Sequence, residues 1–139
     1  MVIADPLALI RGAHFAATLL ASGTVCFAAL TIGSTRLQSY PVLRMRMNVL
    51  VWSGLALAFI TGAMWLVWLA SNILGESLAD VGLHGGVLSV LAETRFGWIW
   101  CLRLALAVLV ALPVLDPAWR VIRVVAAVVF LVSPAFVGH

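Results

Sequence analysis

Three histidines, His14, His84 and His139, fall toward what charge bias makes one side of a membrane. Imidazole is a common ligand of transition metals and of haem iron, so three gathered at one bilayer face would form a site for either. Met64 and Cys101 fall in the same depth layer as His14. Thioether, thiolate and imidazole together are the soft donor set that suits Cu(I). Each of these residues also has an ordinary reading. A lone histidine is satisfied by a neighbouring helix, a loop or terminal histidine is solvated, and a methionine or cysteine fills a core.

Two arginines flank this layer. Arg11 is three residues before His14 and therefore shares its helix face, from which its long side chain can reach outward to the interface. Arg103 enters its own helix to a depth of roughly 9 Å, close to the roughly 10 Å expected for His14. A guanidinium at that depth needs a partner, and Glu93, Asp80 or a bound anion is available on the same side. Trp100, one turn earlier, is placed to stack on it.

Those side chains must be positioned by membrane helices. Of the 139 residues 65% are hydrophobic and 9% charged, none is lysine, and the mean hydropathy is +1.20. A soluble domain could not cover such a chain with a polar surface, so it belongs in a bilayer. Apolar stretches over 7–32, 49–73, 97–115 and 119–136 each suffice to cross a hydrocarbon core of roughly 30 Å as a helix. The expected fold is all-α, a bundle of four transmembrane helices forming a single membrane domain over 1–139. Arg11 and His14 interrupt the first stretch early, which argues for a retained helix rather than a signal peptide.

Charge sets the orientation. Arg36, Arg44 and Arg46 follow the first span and Arg120 and Arg123 follow the third, which makes those connections cytoplasmic and both termini external. Trp65, Trp68, Trp98 and Trp100 would anchor the outer ends of spans two and three, and Trp52 and Trp119 the inner ends. The outer connection, 74–96, is too apolar for a solvated loop, and Gly82 with Gly85-Gly86 predicts a break between two short pieces. It is expected as a re-entrant or interfacial segment. In span two, Gly54, Ala58 and Gly62 form a small-residue stripe suited to close helix packing. Pro113, Asp116 and Pro117 predict a tight hairpin between spans three and four. The +3 net charge is all arginine on membrane-flanking segments, which argues for lipid contact and against nucleic acid.

Read in order, Arg11-Gly12-Ala13-His14-Phe15 in the first helix, Thr94-Arg95-Phe96-Gly97 with Trp100 and Arg103 in the third, and Gly138-His139 after the fourth resemble the CopD copper-resistance membrane family. The resemblance covers nearly the whole chain. It implies a multi-pass bacterial inner-membrane protein that takes up or handles copper. It further implies a periplasmic copper-binding partner of the CopC type, with His14 and His139 as the family-like histidines and Arg103 in the third-helix motif. Larger members have about eight spans, so four make a half-length version, and a homodimer is one way to double them. The alternative expectation is a b-type haem protein with two histidine ligands, its propionates met by Arg11 and Arg103, and an electron-transfer role. No paired carboxylates, serine-histidine-aspartate signature or phosphate loop is present, so no enzyme is expected.

Overall fold

The computed structural model describes residues 5–32, 39–75, 77–83, 86–111 and 119–133. All of their regular structure is helical: α1 Pro6–Phe27, continued by a π-helical turn over Ala28–Ile32, α2 Pro41–Leu74, α3 Leu78–Leu83, α4 Gly86–Glu93, α5 Arg95–Ala111 and α6 Arg120–Val132. Pro6–Ile32 and Pro41–Leu74, each of mean hydropathy 1.9, are long and apolar enough to cross a membrane. A third crossing is formed if Gly86–Glu93 and Gly97–Ala111, which meet at 90°, act as one broken span. Described α6 has 13 residues, about 20 Å of helix, short of a full crossing by itself.

The ends of α1 and α2 follow from local chemistry. Asp5 caps α1 by accepting from the Leu7 N–H at 3.0 Å, and Pro6 sits where its missing N–H costs nothing. Pro41 plays the same part in α2, which starts eight residues before the apolar stretch because arginine and methionine over 44–47 are good helix formers. The 49–73 boundary expected from hydropathy is corrected accordingly. Gly75, at φ +69°, closes α2 in the left-handed conformation that glycine adopts without a Cβ clash.

On α1, His14, Ala17, Thr18, Ala21, Ser22 and Val25 are buried, spaced at intervals of three and four, so a single stripe faces the other helices. That stripe meets the small residues of α2. A Cβ added at Gly54 would come within 3.0 Å of the Ala21 nitrogen and 3.1 Å of the Ala17 carbonyl oxygen, so glycine is what lets the two backbones touch. Leu106 and Val110 of α5 and Ala126, Ala127 and Phe130 of α6 complete the same core. The stripe predicted on α2 is a packing face.

Between α2 and α5 the two short pieces of the outer connection exist as α3 and α4, split at 84–85 beside the expected glycine break. They are not a free loop. Val81 is completely buried against Leu66, Ala70 and Trp100, with Val87 and Leu91 packed on the same cluster. The segment therefore rests across the ends of α2 and α5.

Polar contacts mark two ends of the bundle. At one, side chains from α1, α2, α5 and the last turn of α6 converge on His14 and Arg103. At the other, Arg120 donates to the Ala29 carbonyl in the π-turn, and the buried Arg123 donates to the Val110 carbonyl at 2.9 Å. The start of α1 and the end of α6 thus lie at the same end.

Candidate metal site around His14

His14 is 2% exposed and Arg103 3% exposed, and they touch. One guanidinium nitrogen of Arg103, Nη2, lies 2.7 Å from His14 Nε2. Arginine only donates, so Nε2 carries a lone pair and accepts. The ring is therefore neutral with its proton on Nδ1, which donates to the Ala58 carbonyl at 3.0 Å and shares that contact with Thr61 Oγ1 at 3.2 Å. The small-residue stripe of α2 supplies the carbonyl that fixes the tautomer, because only a small side chain at Ala58 lets the imidazole reach the backbone. Thr61 is held in turn by donating to the Leu57 carbonyl at 2.7 Å.

The same guanidinium ties three helices together. Nη2 also donates to Thr18 Oγ1 at 3.3 Å, and Nη1 donates to Ser133 Oγ at 2.5 Å and to the Phe130 carbonyl at 3.3 Å. Its carbon lies 4.7 Å from the centre of the Phe130 ring, a cation–π contact. Thr18 donates to the His14 carbonyl at 2.8 Å and Ser133 to the Phe130 carbonyl at 2.9 Å, so both hydroxyls present a lone pair to Arg103. Neutral acceptors thus satisfy a buried cation, and among the described residues Arg103 contacts no carboxylate. The expected pairing with Glu93 or Asp80 is corrected. Glu93 is exposed, and Asp80 accepts from Ser77 Oγ at 2.5 Å within its own segment.

Aromatic rings close the pocket. Trp65 meets the His14 ring edge-on at 5.8 Å, and Trp100 lies 6.0 Å away at a tilt of 44°. Both indoles are buried, which corrects their expected place among the interfacial anchors, whereas Trp98 and Trp52 are well exposed as anchors should be. Arg11 is exposed, and its guanidinium carbon lies 5.0 Å from the Trp65 ring centre, so it covers the pocket from outside rather than entering it. A cavity of about 30 Å³ remains beside the pair, walled by Trp100, Leu104, Ala107 and Phe130. That is room for one or two water-sized species.

The other sulfur and nitrogen donors do not join His14. Met64 is 52% exposed and Cys101 is exposed, so both lie on the outer surface of their helices and leave the soft set incomplete. His84 and His139 lie outside the described residues. Among the described residues no three histidine, cysteine, aspartate or glutamate side chains gather as a metal cage. The residues that sequence reasoning passed over are Thr61 and Ser133. A hydroxyl one turn along the Ala58 stripe, and another three residues past Phe130, were the available signals.

The family described as copper resistance protein D-like, N-terminal domain, matches residues 2–139. The chain belongs to this family. No curated protein and no solved structure matches it. Membership makes this a copper-resistance-related membrane protein, and the buried His14–Arg103 pair is its most concentrated polar feature among the described residues. As a CopD-like chain it presents one imidazole nitrogen of the right chemistry for copper, held in a defined tautomer and covered by an arginine. The carbonyl on Nδ1 does for this ring what outer partners do for metal-bound histidines generally, orienting it and raising its basicity.

Proposed function

We propose that this chain is a copper carrier of the bacterial inner membrane that receives copper at its periplasmic face through His14 and His139. It binds and passes a metal ion and does not turn over a substrate. The observation that carries the reading is the fixed tautomer of a buried imidazole, whose ligand nitrogen faces a cavity of about 30 Å³. A copper ion is cargo in this reading, and His139, with His84 as a further donor, would complete its coordination.

Two features support the orientation. Arg44 and Arg46 precede the apolar part of α2, and Arg120 reaches Ala29 at the end of the bundle remote from His14. Positive residues favour the cytoplasmic side, so the His14 end faces the periplasm, with both termini there and four spans in all. A soluble copper-binding protein of the CopC type would then deliver the ion to that mouth. Haem has no comparable support. The space beside His14 is about 30 Å³, whereas cofactor pockets run to several hundred Å³.

Titrating the detergent-purified protein with Cu(I) against a chromogenic chelator tests the reading. Wild type should compete for the metal, and His14→Ala and His139→Ala should each lose affinity by at least tenfold. Equal competition by all three proteins would refute it.

A further inference from the structure

The lone pair that copper would use is the one Arg103 already holds. His14 Nδ1 is committed to the Ala58 carbonyl, so Nε2 is the nitrogen available to a metal, and a guanidinium nitrogen stands 2.7 Å from it. A metal ion and a hydrogen-bond donor cannot share one lone pair, and two cations at that separation repel. Nor can Arg103 shift alone. Its second nitrogen holds Ser133 Oγ and the Phe130 carbonyl, the closing contacts of α6. We infer that Arg103 is a built-in competitor for the metal nitrogen of His14, so that copper binding displaces the guanidinium and releases the last turn of α6.

This inference rests on the copper reading and adds its regulation. The released turn leads directly into the segment that ends in His139. Occupancy at His14 would thereby free the backbone that carries the second proposed ligand. Loading becomes an exchange of one cation for another inside the bundle, with no gain in net charge at the site for Cu(I).

Arg103→Gln and Arg103→Lys test the idea in the full-length protein, by Cu(I) competition titration and by hydrogen–deuterium exchange over residues 126–133. Arg103→Gln should bind Cu(I) more tightly by roughly ten- to hundredfold, the weight of one hydrogen bond from a charged donor. Arg103→Lys, which keeps the charge but cannot fork between His14 and Ser133, should gain less. Exchange over 126–133 should rise on adding Cu(I) to wild type and be high without metal in Arg103→Gln. If His14→Ala abolishes binding while both Arg103 variants bind as wild type does, the competition is overturned and the copper reading stands. If His14→Ala binds undiminished, the copper site itself is wrong and the competition falls with it. Should Arg103→Gln fail to fold, unchanged affinity of Arg103→Lys together with unchanged exchange in copper-loaded wild type is the overturning result.

Discussion

Gly62→Ala separates a packing role from mere helical small-residue content. A Cβ at Gly62 would overlap the far edge of the Trp100 indole. That ring is buried against Leu66, Ala70 and Val81, so it cannot swing away cheaply. Alanine gains about 1 kcal/mol over glycine in helix propensity, while forcing a packed core apart costs about 1–3 kcal/mol. The net effect is a loss of about 0–2 kcal/mol, accompanied by movement of an indole that sits 6.0 Å from His14. Gly23→Ala is the control. Nothing lies within 4 Å of its added Cβ, so the same substitution should stabilise by roughly 0.5–1 kcal/mol. Unfolding by a denaturing detergent, followed by tryptophan fluorescence, measures both. Trp100→Leu should relieve the Gly62→Ala defect in a double-mutant cycle with a coupling of at least about 0.5 kcal/mol. Equal effects of the two alanines, or independence from Trp100, would refute the contact as the cause.

Other outcomes follow from the same geometry. His14→Ala should destabilise the bundle by about 1–3 kcal/mol in the same assay, since it strips a buried guanidinium of an acceptor. Thr61→Val, nearly equal in volume, should cost about 0.5–1.5 kcal/mol through its lost hydroxyl yet leave Cu(I) affinity within a few-fold, because Ala58 still fixes the ring. Val81→Ala opens space under α3 and should cost roughly 1–3 kcal/mol, with faster hydrogen exchange over 78–93 as the local readout. A purified protein should show no Soret band. A redox-responsive one would revive the haem reading.

Depth along the helices was legible from the sequence, and facing was not. Counting residues from the span starts puts His14 and Arg103 at matching levels, and the structure joins them. Met64 was placed at that level correctly too, yet Ala58, Thr61 and Trp65 take the inward face of α2 and Met64 falls beside it, outside. The partner of Arg103 was misread for a different reason. Charge bookkeeping pairs a buried cation with a carboxylate, whereas one neutral imidazole, two hydroxyls and a carbonyl offer as many lone pairs as the two Nη groups have hydrogens. Trp65 and Trp100 were read as interfacial because tryptophan usually is, and the glycine opposite Trp100 was the overlooked hint that an indole fills that space. The broken outer segment was visible in its glycines, and its burial was visible in its apolar content.

The length of α2 bears on how the protein sits in lipid. Its 34 residues extend about 51 Å, and inclining the whole rod within a 30 Å slab would require about 54°, steeper than spanning helices adopt. At an average inclination of roughly 20° about 19 Å stands clear of the hydrocarbon. The cationic first turns, with Arg44 and Arg46, therefore reside among phosphates, and the head-group charge of the surrounding leaflet becomes a determinant of how firmly this rod is seated.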